Sequence, residues 1–103
     1  IKMMTLEQEQ QQAEIKVGKI YEAVNEMAYD ARQLVYNGIT NENIVRKIFG
    51  LTEISGELSF LTNHFSKLVE TVDFGELEKK AEKFQKHAET LMRKIEKEIK
   101  EQA

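Results

Sequence analysis

A chain of 103 residues and 12.0 kDa holds at most one domain. It has no Pro, Cys or Trp and only 5 Gly, with 32% charged and 41% hydrophobic residues and a net charge of −3. Lack of Cys excludes disulfide scaffolds, thiolate zinc sites and cysteine nucleophiles. No apolar run approaches the ~18 residues that span a bilayer, and the shortage of turn residues argues against a loop-rich all-β fold.

Ile1-Lys2-Met3 reads as lying outside the fold, either beside a cut N-terminus or ahead of a native start at Met4. No apolar segment of the signal-peptide kind follows Lys2, so a cytoplasmic location is expected. Thr5 with Gln8 three residues later forms a capping-box pattern. It opens a stretch in which Leu6, Gln10, Ala13, Val17, Ile20, Val24, Met27, Ala31 and Leu34 recur in alternating steps of 4 and 3. That spacing lays one seam along a helix, and only Gln10 interrupts its apolar character. Asn37-Gly38 tolerates the left-handed backbone and ends it, so a helix is predicted over 5–37.

Thr40 or Asn41 can cap a short helix over 41–49 that carries Ile44, Val45, Ile48 and Phe49, and Gly50 stands where a glycine would end it. Thr52 can cap a second long helix over 52–72, with Leu51, Ile54, Leu58, Leu61, Phe65, Leu68 and Val72 as its seam. Asp73 with Glu76 starts a third over 74–102, with Phe74, Leu77, Ala81, Phe84, Ala88, Leu91 and Ile95, then Met92 and Ile99 on an adjacent stripe. The expected fold class is all-α: residues 1–103 form one antiparallel bundle of three long, heptad-patterned helices, with 41–49 as a lid on one end. The shortest long helix sets the shared length, so residues 4–14 and 97–103 are expected to project from opposite ends. The Gln-rich run 8–12 is polar on all faces and would fray or pair with another copy or partner.

Positions left over from the seams hold the candidate binding features. Tyr21, Ala28 and Val35 recur every seven residues on the first helix, with Tyr29 and Tyr36 beside them, and Phe60 lies off the seam of the second long helix. These residues either widen the core or form a face for self-association or a partner, a role that suits tyrosine with its apolar body and wet tip. Gly18 and Gly56 fall inside predicted helices, where each costs ~1 kcal/mol relative to Ala; they mark either close approach of a neighbour or simple tolerance.

Chemistry is sparse. His64 and His87 have no second ligand one turn away, the five glycines form no phosphate loop, and no serine has a His–acid pair at recognisable spacing. No metal, cofactor or enzymatic activity is expected. The segment Phe60-Leu61-Thr62-Asn63-His64-Phe65-Ser66-Lys67, with Phe74-Gly75 ten residues beyond His64, resembles histidine-containing phosphotransfer domains over roughly residues 56–80. The resemblance implies a helical bundle in which His64 accepts a phosphoryl group and Lys67 balances its charge. It departs from that family at Leu68 and Val69, where the family has a Gly and small residues that open space around the imidazole.

Charge divides unevenly. Residues 1–37 carry 4 basic and 6 acidic groups, residues 38–73 carry 3 and 5, and residues 74–103 carry 8 and 7. Lys79, Lys80, Lys83 and Lys86 cluster, but Glu76, Glu78, Glu82 and Glu89 largely offset them in sequence, so nucleic-acid binding is not the leading expectation. That expectation is a non-enzymatic protein–protein interaction or assembly module, a regulator or adaptor that self-associates as a homodimer. Phosphotransfer at His64 and nucleic-acid binding along Lys79–Lys86 are the alternatives.

Overall fold

A computed structural model describes residues 3–102. Four helices follow one another: α1 (Leu6–Tyr36), α2 (Glu42–Asn63), α3 (Phe65–Leu68) and α4 (Phe74–Gln102). At ~1.5 Å per residue the three long ones run about 46, 33 and 43 Å. They pack pairwise into one bundle, 55 × 28 × 17 Å along its principal axes. Cross-helix contacts fix the direction of each. Asn25 meets Ser55 and Arg32 meets Thr52, so α2 descends beside α1; Lys47 meets Glu98, so α4 rises again beside α2.

The ends form where local chemistry supplies partners for free backbone groups. The Thr5 hydroxyl accepts from the Gln8 amide while the Gln8 side chain accepts from the Thr5 amide, completing the capping box. The Asn37 amide donates to Gln33 and Val35 carbonyls, and Gly38 turns the chain at φ +105°. The side-chain oxygen of Asn41 accepts from the amides of Asn43 and Ile44, and that of Asp73 from the Gly75 amide.

The core follows the seams. Ala13, Val17, Ile20, Val24, Ala28 and Ala31 of α1 are buried against Ile44, Ile48, Leu51, Ile54, Leu58 and Leu61 of α2 and against Leu77, Ala81, Ala88 and Ile95 of α4. Phe84, Leu91, Met92 and Ile99 pack partly buried around them.

Three boundaries differ from expectation. Residues 41–49 are not a separate lid. The helix runs on through Gly50, because Ile44 and Ile48 continue the buried seam and their burial outweighs the glycine's poor helix propensity. Thr52 is accordingly no cap; its hydroxyl bonds the Ile48 carbonyl one turn back. The second long helix ends at Asn63 instead of Val72, and the short fourth element is α3. Beyond the break at His64, Phe65 is buried and Leu68, Val69 and Val72 pack partly buried on the core at that end. The lengthened α2 also covers more of its neighbours. Ala13 is buried, Ile99 packs on the core and Glu98 pairs with Lys47, so the uncovered ends shrink on both helices. Residue 103 lies outside the described residues, as do Ile1 and Lys2.

Candidate interaction surfaces

The predicted tyrosine stripe divides. Ala28 belongs to the core and Tyr21 packs half-buried against it, whereas Val35 stays exposed near the helix end. Tyr29 and Tyr36 remain 56% and 79% exposed. On α2, Phe60 is 51% exposed, and Phe49, which the sequence assigned to a lid, is 63% exposed.

These four aromatics share one side of the bundle. Asn25 and Arg32 mark the edge of α1 that faces α2, through their bonds to Ser55 (3.1 Å) and Thr52 (3.3 Å). Tyr29 and Tyr36 each follow one of these by four residues, which places them just outside that edge. Thr52 marks the matching edge of α2, while Lys47 and Gly50 mark its opposite edge, toward α4. Phe49 and Phe60, eleven residues or about three turns apart, lie beyond the Thr52 edge. Tyr29, Tyr36, Phe49 and Phe60 therefore open on the face that α1 and α2 turn away from α4. Gly56 lies between the two phenylalanines with nothing within 4 Å of an added Cβ. Gly18 has only Thr62 Cγ2 at 4.0 Å, an ordinary contact. Exposed Glu22 and Glu26 flank the face on α1, and Glu53 flanks it on α2.

Phe49 has a signal in the sequence, its eleven-residue spacing from Phe60. That spacing becomes meaningful only when α2 is continuous through Gly50.

His64 sits at the break between α2 and α3, exposed, with φ −115° and ψ 15°. Its Nδ1 is 3.1 Å from the Phe60 carbonyl and its ring stacks on Phe60 at 4.6 Å between centroids. The imidazole thus serves as the end of α2. Lys67 follows on α3 with its ammonium 3.2 Å from Glu70. The pair that resembles the phosphotransfer motif is brought near in sequence, but its lysine has a carboxylate partner of its own.

A shallow groove runs between the first half of α1 and the start of α4, lined by Met4, Ile15, Ile20 and Phe74 with Lys16 and Glu78 at its edge. Lys16 bridges Glu82 at 2.8 Å and Glu78 at 3.5 Å. The hydrogen bond from Lys16, reinforced by its charge, holds the Glu82 carboxyl below its ordinary pKa, and Glu82 in turn raises that of Lys16. Among the described residues no three His, Asp or Glu side chains converge as metal ligands, and no helix is long and apolar enough to cross a membrane.

Comparison with protein-family models, curated proteins and solved structures gave no match to this chain.

Proposed function

We propose that the chain is a non-enzymatic interaction module that pairs with a second copy of itself through the α1–α2 face. One observation carries this reading: four of the eight aromatic residues stand exposed on a single face of the bundle. Isolated exposed apolar residues are ordinary, whereas several gathered on one side mark a contact surface. Aromatic side chains contribute large buried area in such contacts for little lost side-chain freedom.

A second copy suits the face because it carries one tyrosine row, on α1, and one phenylalanine row, on α2. A two-fold axis lays the tyrosine row of each protomer over the phenylalanine row of the other, the self-complementary arrangement that a two-fold interface requires. Tyrosine hydroxyls then reach the rim and stay hydrated. The flanking Glu22, Glu26 and Glu53 bring like charges together, so pairing tightens as salt screens them.

Molar mass by light scattering across a concentration series tests this. The expected result is a dimer that gains population with added salt and is lost in Tyr36→Asp and Phe49→Asp, with helicity retained in both. A strict monomer at high concentration, or a dimer indifferent to both substitutions, overturns the reading.

A further inference from the structure

The outward side of α4 carries a regular row of cations, with Glu76, Glu89, Glu96 and Glu101 beside it. Lys79, Lys83, Lys86, Arg93, Lys97 and Lys100 recur in steps that fit alternating 4 and 3, with Thr90 filling the one missing position. Over ~1.5 Å per residue that is a straight row about 32 Å long. All six are exposed, and Lys80 and Lys94 flank the row, also exposed. Three of the seven carboxylates on α4 are committed to other helices. Glu78 and Glu82 turn toward α1 and hold Lys16, and Glu98 turns toward α2 and holds Lys47. Among the described residues α4 contributes only carboxylates to ion pairs; none of its eight cations has a carboxylate within 4.0 Å.

We infer that this stripe binds the phosphate backbone of double-stranded nucleic acid without regard to sequence. A long, rigid row of unpaired ammonium groups matches a continuous polyanion, whose condensed counterions are released on contact. The row carries no aromatic side chain, so it has nothing on which the bases of a single strand could stack. It carries no large apolar residue to enter a bilayer, which an interfacial helix needs. It has no Asn or Gln, and five of its six cations are lysines, point charges that suit phosphate better than the bidentate reading of base edges. The α1–α2 face stays free, and the inference stands independently of pairing there.

Fluorescence anisotropy with labelled duplexes of about twenty base pairs, DNA and RNA in separate arms, provides the test. With three to six phosphates neutralised, log K should fall with log salt at a slope of about −3 to −5, equally for unrelated sequences. A single Lys83→Gln should lower the slope by about one. Lys83→Glu/Lys86→Glu/Arg93→Glu should abolish binding at low salt. Lys19→Glu/Arg46→Glu/Lys67→Glu, which alters net charge equally but leaves the stripe intact, should keep the slope. Circular dichroism checks that both triples stay folded. The inference is overturned by no duplex binding at about 50 mM salt, by equal loss in the two triples, or by binding to phosphatidylserine vesicles without binding to duplex.

Discussion

Gly50 of α2 faces Leu91 of α4 so closely that an added Cβ would stand 3.1 Å from the leucine Cδ1. The residue that looks like a helix stop in sequence is thus a point of close approach between two helices. Three glycines then predict three different outcomes. Gly56 has open space, so Gly56→Ala should stabilise by about 0.5–1 kcal/mol through helix propensity alone. At Gly50 the same gain is offset by displacing Leu91, which is half-buried and free to shift by a few tenths of an ångström, so Gly50→Ala should change stability by less than ~0.5 kcal/mol. Gly50→Val, with two further carbons at that contact, should cost more than ~1 kcal/mol. Gly38 holds φ +105°, and Gly38→Ala should cost ~1 kcal/mol. Urea unfolding of the set gives the order directly. A Gly50→Ala change that destabilises more than Gly38→Ala would contradict the packing described.

Lys47 and Glu98 form the least exposed ion pair among the described residues, 2.8 Å apart, and the second oxygen of Glu98 is buried with no partner. Removing the lysine leaves a partly buried carboxylate with neither oxygen satisfied. Lys47→Met should therefore cost ~1–2 kcal/mol, and the double change Lys47→Met/Glu98→Leu should recover most of the loss, since an apolar pair replaces an orphaned charge. A double-mutant cycle measures the coupling. Additive losses would show that the two groups do not act together.

Much of the fold can be read in the sequence because its signals are local. The 3-4 spacing from Ala13 to Ala31 and from Leu51 to Leu61 names buried positions, all but the partly buried Met27, and the caps at Thr5, Asn41 and Asp73 hold as hydrogen bonds. What the sequence hides depends on neighbours. Gly50 resembles a stop until Leu91 is known to lie against it. The break at His64 carries no Pro or Gly, so no local signal in the sequence marks it. Ala28 and Tyr29 are adjacent in the tyrosine stripe, yet one lies in the core and the other on the surface, because the rotation of α1 is set by both partner helices. Lysines 79 to 86 look neutralised when charges are counted along the chain; only the structure shows that Glu78 and Glu82 bond Lys16 and that these lysines have no carboxylate within 4.0 Å.

Leu61 packs in the core on the side of α2 that faces α4, and Leu61→Ala should cost ~2–5 kcal/mol. Glu96 and Lys97 are exposed one turn from the end of α4, and Glu96→Ala or Lys97→Ala should shift stability by under ~0.5 kcal/mol. Thermal and chemical denaturation of the three variants would compare core with surface. A loss below 1 kcal/mol at Leu61 would mean that the seam is misplaced.

Lys16 and Glu82 connect α1 to α4 at the edge of the shallow groove, and their shifted titrations give the contact a definite pH window. Glu82 is depressed in the folded state, so its contribution is complete above the ordinary carboxylate range and disappears as pH falls through its lowered folded pKa. Lys16 is raised, so its contribution is complete below the ordinary lysine range and disappears as pH rises through its raised folded pKa. Both are open to solvent, which keeps the stabilisation small, and the direct readout is therefore titration. NMR of side-chain carboxyl carbons should show Glu82 titrating below the ordinary carboxylate range. Lys16→Gln should move Glu82 upward by removing both the charged donor and its field. If Glu82 titrates in the ordinary carboxylate range and ignores the substitution, the bridge does not persist in solution.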